Sequence, residues 1–429
     1  MRIAVVGTGY VGLSTGVGFA IRGNEVICVD KVKEKVKQIN QGVTPIYEPL
    51  LEEHLRKVLE EGRLKATGDL HKAMRKSEVI FISVGTPPKE DGSIDLKYIK
   101  EVSKEIGRSL ASKGYKVIVV KSTVLPGTTE NVVIPNLERY SGKRAGKEFG
   151  VCMNPEFLRE GKALEDFLCP DRIIIGAIDK KSGNILEKVY ANFNAPVLRT
   201  DLKTAEMIKY ASNAFLAMKV SFSNEIGNIC KRLGIDVYEV MKGVGMDSRI
   251  SEKFLAAGCG FGGSCFPKDV DALIHKAKEL EYEPKLLEEV QNLNRRQKVG
   301  MVELLEKRIG NLKGKKICIL GLAFKPGTDD VRGASSVDII SRLVEKGAKV
   351  KAYDPKAMEN VKKIFPNIEY AKSAKEAIEG SDACLVVTEW EEFRKLKNED
   401  FDLMKNRIII EGRKVLDPKS VKGFEGICW

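Results

Sequence analysis

The first thirty residues, MRIAVVGTGYVGLSTGVGFAIRGNEVICVD, leave few folds open. A short apolar run, Arg2–Val6, enters the turn Gly7-Thr8-Gly9-Tyr10-Val11-Gly12. Helical spacing follows to Ile21, Gly23-Asn24 stops it, and a second apolar run, Glu25–Val29, ends at Asp30. A strand, a glycine turn, a helix and a parallel strand form the dinucleotide-binding crossover. Gly7 permits the tight turn, Gly9 lets the backbone approach a pyrophosphate, and Gly12 lets helix and strand pack closely. The helix N-terminus offers N–H groups and positive dipole to the phosphates. An acid at the end of the second strand accepts from ribose hydroxyls and repels a 2′-phosphate, so Asp30 favours NAD over NADP.

Further strand-like runs follow at 79–84, 116–124, 149–154 and 172–177. Their alternation with helical stretches predicts an α/β, doubly wound, parallel sheet whose ligand edge lies at the strands' carboxyl ends. Thr86, Thr123 and Glu156 stand just past such ends. From about residue 200 the pattern becomes helical. Phe215, Met218, Phe222, Ile226, Ile229 and Leu233 recur at steps of three and four, one apolar stripe on a long helix that can pack on a partner chain. Lys209 and Asn213, four apart, share a different face with Leu216 and Val220. At 313–324 the strand pattern restarts, with a degraded glycine turn, GLAFKPG, and a strand ending at Asp354. The expected organisation is a Rossmann domain at 1–199, a helical spine at 200–312 and a second Rossmann-like domain at 313–429.

At 429 residues, two or three domains are expected. The start MRIAVVGTG reads as a first strand rather than a signal peptide, and no apolar run approaches membrane-spanning length, so a cytoplasmic protein is expected. The net charge of +12 reads as a lysine-rich solvated surface or as attraction for an anionic small molecule such as a nucleotide. Lys alternates with Glu without a basic block, which argues against nucleic acid. Nine cysteines without a CxxC pair, and three histidines, predict neither a disulfide framework nor a zinc site.

One cysteine stands apart. GFGGSCFPKD, residues 260–269, surrounds Cys265 with glycines, and Pro267 and Asp269 suit the first turn of the helical run that follows. Cys265 is therefore expected at a helix N-terminus, where the dipole and bare N–H groups favour thiolate. The other cysteines sit mostly in apolar runs and read as core.

Taken in order, GTGYVG, SVGTP, VVKSTVLPGT, NPEFLREG, the Lys209/Asn213 helix, GFGGSCFPKD and GLAFKPGTDDVRGASS resemble the UDP-glucose/GDP-mannose dehydrogenase family across the whole chain. The serine of GGSC separates the chain from relatives acting on N-acetylated UDP-sugars, and NPEFLREG favours UDP-glucose over GDP-mannose. The resemblance implies a four-electron oxidation of a sugar CH₂OH to a carboxylate with two NAD⁺, through a thiohemiacetal and a thioester on Cys265. A simple two-electron hydroxyacid dehydrogenase would need neither Cys265 nor a second Rossmann-like domain. The resemblance also implies roles. Lys209 and Asn213 would stabilise the oxyanion at C6, Asp269 would assist through a water, Glu156 would activate the hydrolytic water and Thr123 would position it. NAD would meet Gly7, Gly9, Tyr10, Val11, Gly12, Asp30, Lys35, Thr86, Thr123, Glu160 and Arg332. The UDP-sugar would meet Glu156, Phe157, Leu158, Lys209, Asn213, Phe254, Gly258, Gly262, Phe324, Lys325 and Arg413, with Arg249 reaching a neighbouring subunit's substrate. A homodimer or larger homo-oligomer through the long helix is expected.

Overall fold

The computed structural model describes residues 1–110 and 114–429. The chain divides into two compact units, Met1–Ser212 and Asn213–Trp429.

The first unit is built on eight strands: β1 (Arg2–Val6), β2 (Glu25–Val29), β3 (Leu64–Thr67), β4 (Val79–Ile82), β5 (Val117–Val120), β6 (Gly150–Met153), β7 (Ile173–Ala177) and β8 (Val197–Thr200). Their spatial order is β3-β2-β1-β4-β5-β6-β7-β8. The order reverses between β1 and β4, which opens a crevice at the strands' carboxyl ends. Strands such as VIFI and VIVV are buried on both faces, so they read as continuous apolar runs rather than alternating ones. One apolar cluster on each face of the sheet, around Phe19 and Phe81 and around Ile82 and Val120, makes the core.

One pairing departs from the all-parallel expectation: β6 and β7 run antiparallel. The connection between them holds only the short helix Ala163–Leu168 and returns at the same end of the sheet. A chain that comes back at the end where it left can only pair antiparallel.

The second unit repeats the plan with β9 (Lys316–Leu320), β10 (Lys349–Tyr353), β11 (Glu369–Tyr370), β12 (Ala383–Val386), β13 (Ile409–Glu411) and β14 (Phe424–Gly426) in the order β11-β10-β9-β12-β13-β14, all parallel. The long helix Leu202–Leu233 carries the chain from the first unit into the second. Its stripe is not a core stripe: Phe215, Phe222, Ile229 and Leu233 are exposed. The face buried in the second unit is made instead of small and polar residues, among them Ala214, Ala217, Ser221 and Asn224. Among the described residues, no helix is long and apolar enough to cross a membrane.

Candidate active site

The glycine turn has the shape its sequence requires. Gly7 has φ +96°, and a Cβ there would meet the Ser83 carbonyl oxygen at 2.6 Å. A Cβ on Gly12 would collide with the Gly7 carbonyl, whereas a Cβ on Gly9 would meet nothing within 4 Å, so that position faces open space. Gly9 caps the helix Tyr10–Ile21, whose first residues Tyr10 and Val11 are half-buried. Asp30 Oδ2 accepts from the Thr8 N–H at 3.0 Å and the Thr8 hydroxyl at 2.6 Å, and Oδ1 accepts from the Val32 N–H at 3.0 Å. Burial works against its charge, but the Thr8 hydroxyl, the two N–H groups and nearby Lys35 outweigh it and hold the carboxyl below its ordinary value. An open glycine cradle beside an ionised acid fits a pyrophosphate and a ribose diol.

Along the same sheet edge, Thr86 donates its hydroxyl to the Thr123 carbonyl at 3.0 Å. Beyond β6, Glu156 is buried and lies 3.0 Å from Lys209 Nζ through Oε1, while Oε2 accepts from the Leu158 N–H at 2.6 Å. Burial alone would raise its pKa; the Lys209 cation, its hydrogen bond and the Leu158 N–H together bring the carboxyl below the usual glutamate range. Phe157 packs under two cations, Arg172 at 4.0 Å and Lys209 at 5.4 Å from its ring centre. Glu160 lies half-buried in the loop that Glu48 anchors. Glu48 accepts from the Gly161 N–H at 2.8 Å and the Ala163 N–H at 2.7 Å.

In the second unit, Cys265 is the N-cap of the helix Phe266–Glu279, with Pro in its first turn. It is half-buried, Cys169 is exposed, and the other seven cysteines are buried. Burial pushes the Cys28 and Cys428 thiols up to about 12, which keeps them protonated and unreactive. Cys265 alone combines access with a helix N-terminus long enough to carry a dipole. Its carbonyl accepts from the Asp269 N–H at 2.8 Å. Asp269 is buried, takes the Asn213 amide on Oδ2 at 2.6 Å and the Lys268 ammonium on Oδ1 at 2.6 Å. Lys209 and Asn213 stand one turn apart on the long helix.

The loop before Cys265 is packed without slack. Phe254 has φ +65° and lies 6.0 Å from Phe266, ring to ring. A Cβ on Gly258 would strike the Gly412 carbonyl, one on Gly262 the Gly333 carbonyl, and one on Gly263 the Phe324 ring at 2.8 Å. Arg413 donates to the Gly260 carbonyl at 2.6 Å. Lys325 Nζ sits 5.3 Å over the Phe324 ring. Two arginines are engaged by acids of their own loops: Arg332 by Asp330 at 2.6 Å, and the exposed Arg249 by Asp247 at 2.6 Å.

Residues 1–194, 203–296 and 318–418 match, in turn, the NAD binding, central and UDP binding domains of the UDP-glucose/GDP-mannose dehydrogenase family. The chain belongs to that family. It is 47% identical over 416 residues to the UDP-glucose 6-dehydrogenase TuaD of Bacillus subtilis, covering 96% of this chain and 89% of that one. It is 43% identical over 433 residues to the UDP-glucose 6-dehydrogenase AglM of Haloferax volcanii, covering all of both. The fold superposes on a UDP-glucose dehydrogenase from the hyperthermophilic archaeon Pyrobaculum islandicum with a TM-score of 0.95 at 41% identity, covering 100% of this chain and 97% of that one. As a member of this dehydrogenase family, the chain is an oxidoreductase with NAD as its cofactor.

For this family member, the structure adds buried charges that the sequence reading passed over. Lys121, at the end of β5, donates to Asn154 Oδ1 at 2.9 Å, and Asn154 also takes the Tyr190 hydroxyl at 2.5 Å. Burial pushes the Lys121 ammonium down to about 8, with Glu156 opposing the shift and Lys209 adding to it. Its only sequence signal was a lysine between an apolar strand and Ser122. Glu48 and Glu206 likewise sit in ordinary charged stretches, and their burial comes from tertiary packing alone.

Proposed function

We propose that the chain oxidises UDP-glucose to UDP-glucuronate, with Cys265 as the covalent nucleophile. In total the sugar's CH₂OH, one water and two NAD⁺ yield a carboxylate, two NADH and three protons. The bound nicotinamide supplies the hydride acceptor, once for each oxidation. The chain's own residues do the rest. Asp30 and the Gly7–Gly12 turn hold the dinucleotide, with Thr86, Thr123, Glu160 and Arg332 beside it. The Cys265 thiolate adds to the C6 aldehyde and forms a C–S bond. This restores a tetrahedral carbon bearing an alkoxide-like oxygen, from which a second hydride can leave. Lys209 and Asn213 stabilise that oxyanion, and the buried Asp269 fixes the Asn213 amide. Glu156 takes a proton from the water that cleaves the thioester, and the thiolate is released. The Lys209 ammonium at 3.0 Å holds Glu156 ionised, so the carboxylate is free of its proton when the water is to be deprotonated.

The observation that carries this reading is Cys265 itself, a half-buried thiol capping a helix whose first turn holds Asp269. The UDP-sugar is assigned to the loop 254–263 with Phe324, Lys325 and Arg413, and the three working parts are 1–199, 200–312 and 313–429. The exposed stripe of Phe215, Phe222, Ile229 and Leu233 supports a homodimer or larger homo-oligomer. Arg249, exposed on the chain alone, is then the residue offered to a neighbour. A cytoplasmic site of action fits two small, soluble cosubstrates. Steady-state assays with UDP-glucose and GDP-mannose side by side, counting NADH per sugar, test the reading. Two NADH per UDP-glucose is the expected result. One NADH with free aldehyde, or preference for GDP-mannose, overturns it.

A further inference from the structure

Glu206 lies on the long helix three residues before Lys209 and is fully buried. Its carboxylate is turned to a different segment. Oε2 accepts from the Gly127 N–H at 2.5 Å, and Oε1 accepts from the Thr129 N–H at 2.8 Å and the Thr129 hydroxyl at 2.6 Å. These donors belong to the segment that leaves β5, whose first residues are Lys121, Ser122 and Thr123. Gly127 has φ +91°, a conformation that other residues rarely adopt. Thr129 begins a π-helical turn, Thr129–Val133, that leads into the helix Ile134–Ser141.

The other end of the loop is tied to β4 and its extension. The Ser122 hydroxyl donates to the carbonyls of Val84 at 2.7 Å and Ile82 at 3.2 Å, and Thr86 holds the Thr123 carbonyl. A surface ion pair, Lys203 to Glu130 at 2.7 Å, joins the same two elements that Glu206 joins from inside. The loop is thus fixed between the sheet edge and the turn of helix that presents Lys209. Holding a carboxylate there works against solvation: burial pushes Glu206 up to about 7, against the pull of the Thr129 and Gly127 donors. Only a carboxylate can accept at both oxygens from three converging donors, because an amide has one acceptor atom.

We infer that Glu206 is a positioning residue for the reaction: it locks the Thr123–Thr129 loop to the Lys209 turn, so that Thr123 and Lys209 keep one spacing through both oxidations and the hydrolysis. The inference rests on the roles proposed above for Thr123 and Lys209. Glu206 itself touches no substrate. Its loss therefore changes kcat far more than it changes binding of the UDP moiety.

The test compares Glu206→Gln, Glu206→Asp and Thr129→Val with the unaltered enzyme, measuring kcat, both KM values, the UDP dissociation constant by calorimetry and the melting temperature. Small displacements of reacting groups cost up to about 100-fold in rate. Glu206→Gln is expected to lose about 10- to 100-fold in kcat while UDP binding stays within about threefold. Glu206→Asp, which keeps both acceptors one methylene short, should recover part of that loss. Thr129→Val, which removes one donor, should fall between and serves as the deciding variant where the Gln enzyme does not fold. Wild-type kcat in Glu206→Gln, or in Thr129→Val should that be the folded variant, overturns the inference whatever the melting temperature does. Absence of UDP-glucose turnover in the unaltered enzyme is a different failure, that of the functional reading, and is read from the control alone.

Discussion

Glu156 and Lys209 form an ion pair of 3.0 Å in which both side chains are almost wholly buried. Removing one member of such a pair leaves an uncompensated charge in a low dielectric, at a cost of about 3–5 kcal/mol. Lys209→Met should therefore unfold at markedly lower urea concentration as well as lose turnover by about 100-fold or more. Glu156→Gln, which leaves the buried Lys209 and Lys121 cations without their carboxylate, should carry a similar stability cost and be equally damaging to thioester hydrolysis. Urea titrations at pH 7 beside single-turnover NADH traces separate the two effects.

The same pair predicts a pH dependence. The folded pKa of Glu156 lies below the ordinary value. Its contribution to stability is then full above the unfolded glutamate pKa of about 4.3 and is lost as pH falls through the folded value. Chemical denaturation at pH 7 and near pH 4 should show a drop in the unaltered protein that is smaller in Glu156→Gln. Equal drops in both would place the acid sensitivity elsewhere.

Much of this was legible in the sequence because local physics wrote it there. The strand Glu25–Val29 and the helix ending at Ile21 follow from apolar patterning and glycine stops, and both stand as read. Cys265 at a helix start follows from glycines before it and proline after it. The strands β3, β8, β11 and β14 were not legible, since LKAT, VLRT, EY and FEG lack the continuous apolar run that marks VIFI and VIVV. The run at 172–177 was legible as a strand, but its antiparallel direction was not, because an apolar run carries no sign of direction. Lys121 and Glu206 look like surface charges in a lysine- and glutamate-rich chain. Only the sheet edge closing around them makes them buried.

Asp30 and Asp354 end the second strand of their respective sheets and do different work. Asp354 is fully buried and accepts five donors, among them the Leu322 and Ala323 N–H groups of the degraded glycine turn and the Trp390 indole. The turn that would cradle a phosphate is thereby closed on a carboxylate. Asp354→Asn should destabilise the second unit by about 3 kcal/mol, as a charged acceptor of several buried N–H groups is lost. NAD affinity should not change. Tryptophan fluorescence during unfolding, set beside NAD titration, checks both halves.

Asp30 instead faces the open cradle. NADP⁺ should be a poor cofactor, and Asp30→Ala should narrow the gap chiefly by weakening NAD, since Thr8 loses its acceptor too. The ratio of kcat/KM for NAD⁺ and NADP⁺ in the two proteins measures it. Comparable values for both cofactors in the unaltered enzyme would show that the acid does not read the ribose.

The stripe on the long helix predicts self-association. Phe222→Asp, together with Phe215→Asp, should shift sedimentation toward a smaller species, with secondary structure retained. An unchanged sedimentation coefficient would exclude that face as the interface.

On the proposed mechanism, Cys265 carries the sugar between the two oxidations. The most direct measurement is uronate formed per enzyme per second in Cys265→Ser, with Cys265→Ala as companion. Serine keeps size and backbone, so NAD binding should survive. Its hydroxyl is a far weaker nucleophile near neutral pH, and turnover to the uronate should fall by at least about 10³-fold, roughly 4 kcal/mol of barrier. Full conversion of UDP-glucose to its uronate by Cys265→Ala at near the unaltered rate would contradict the account.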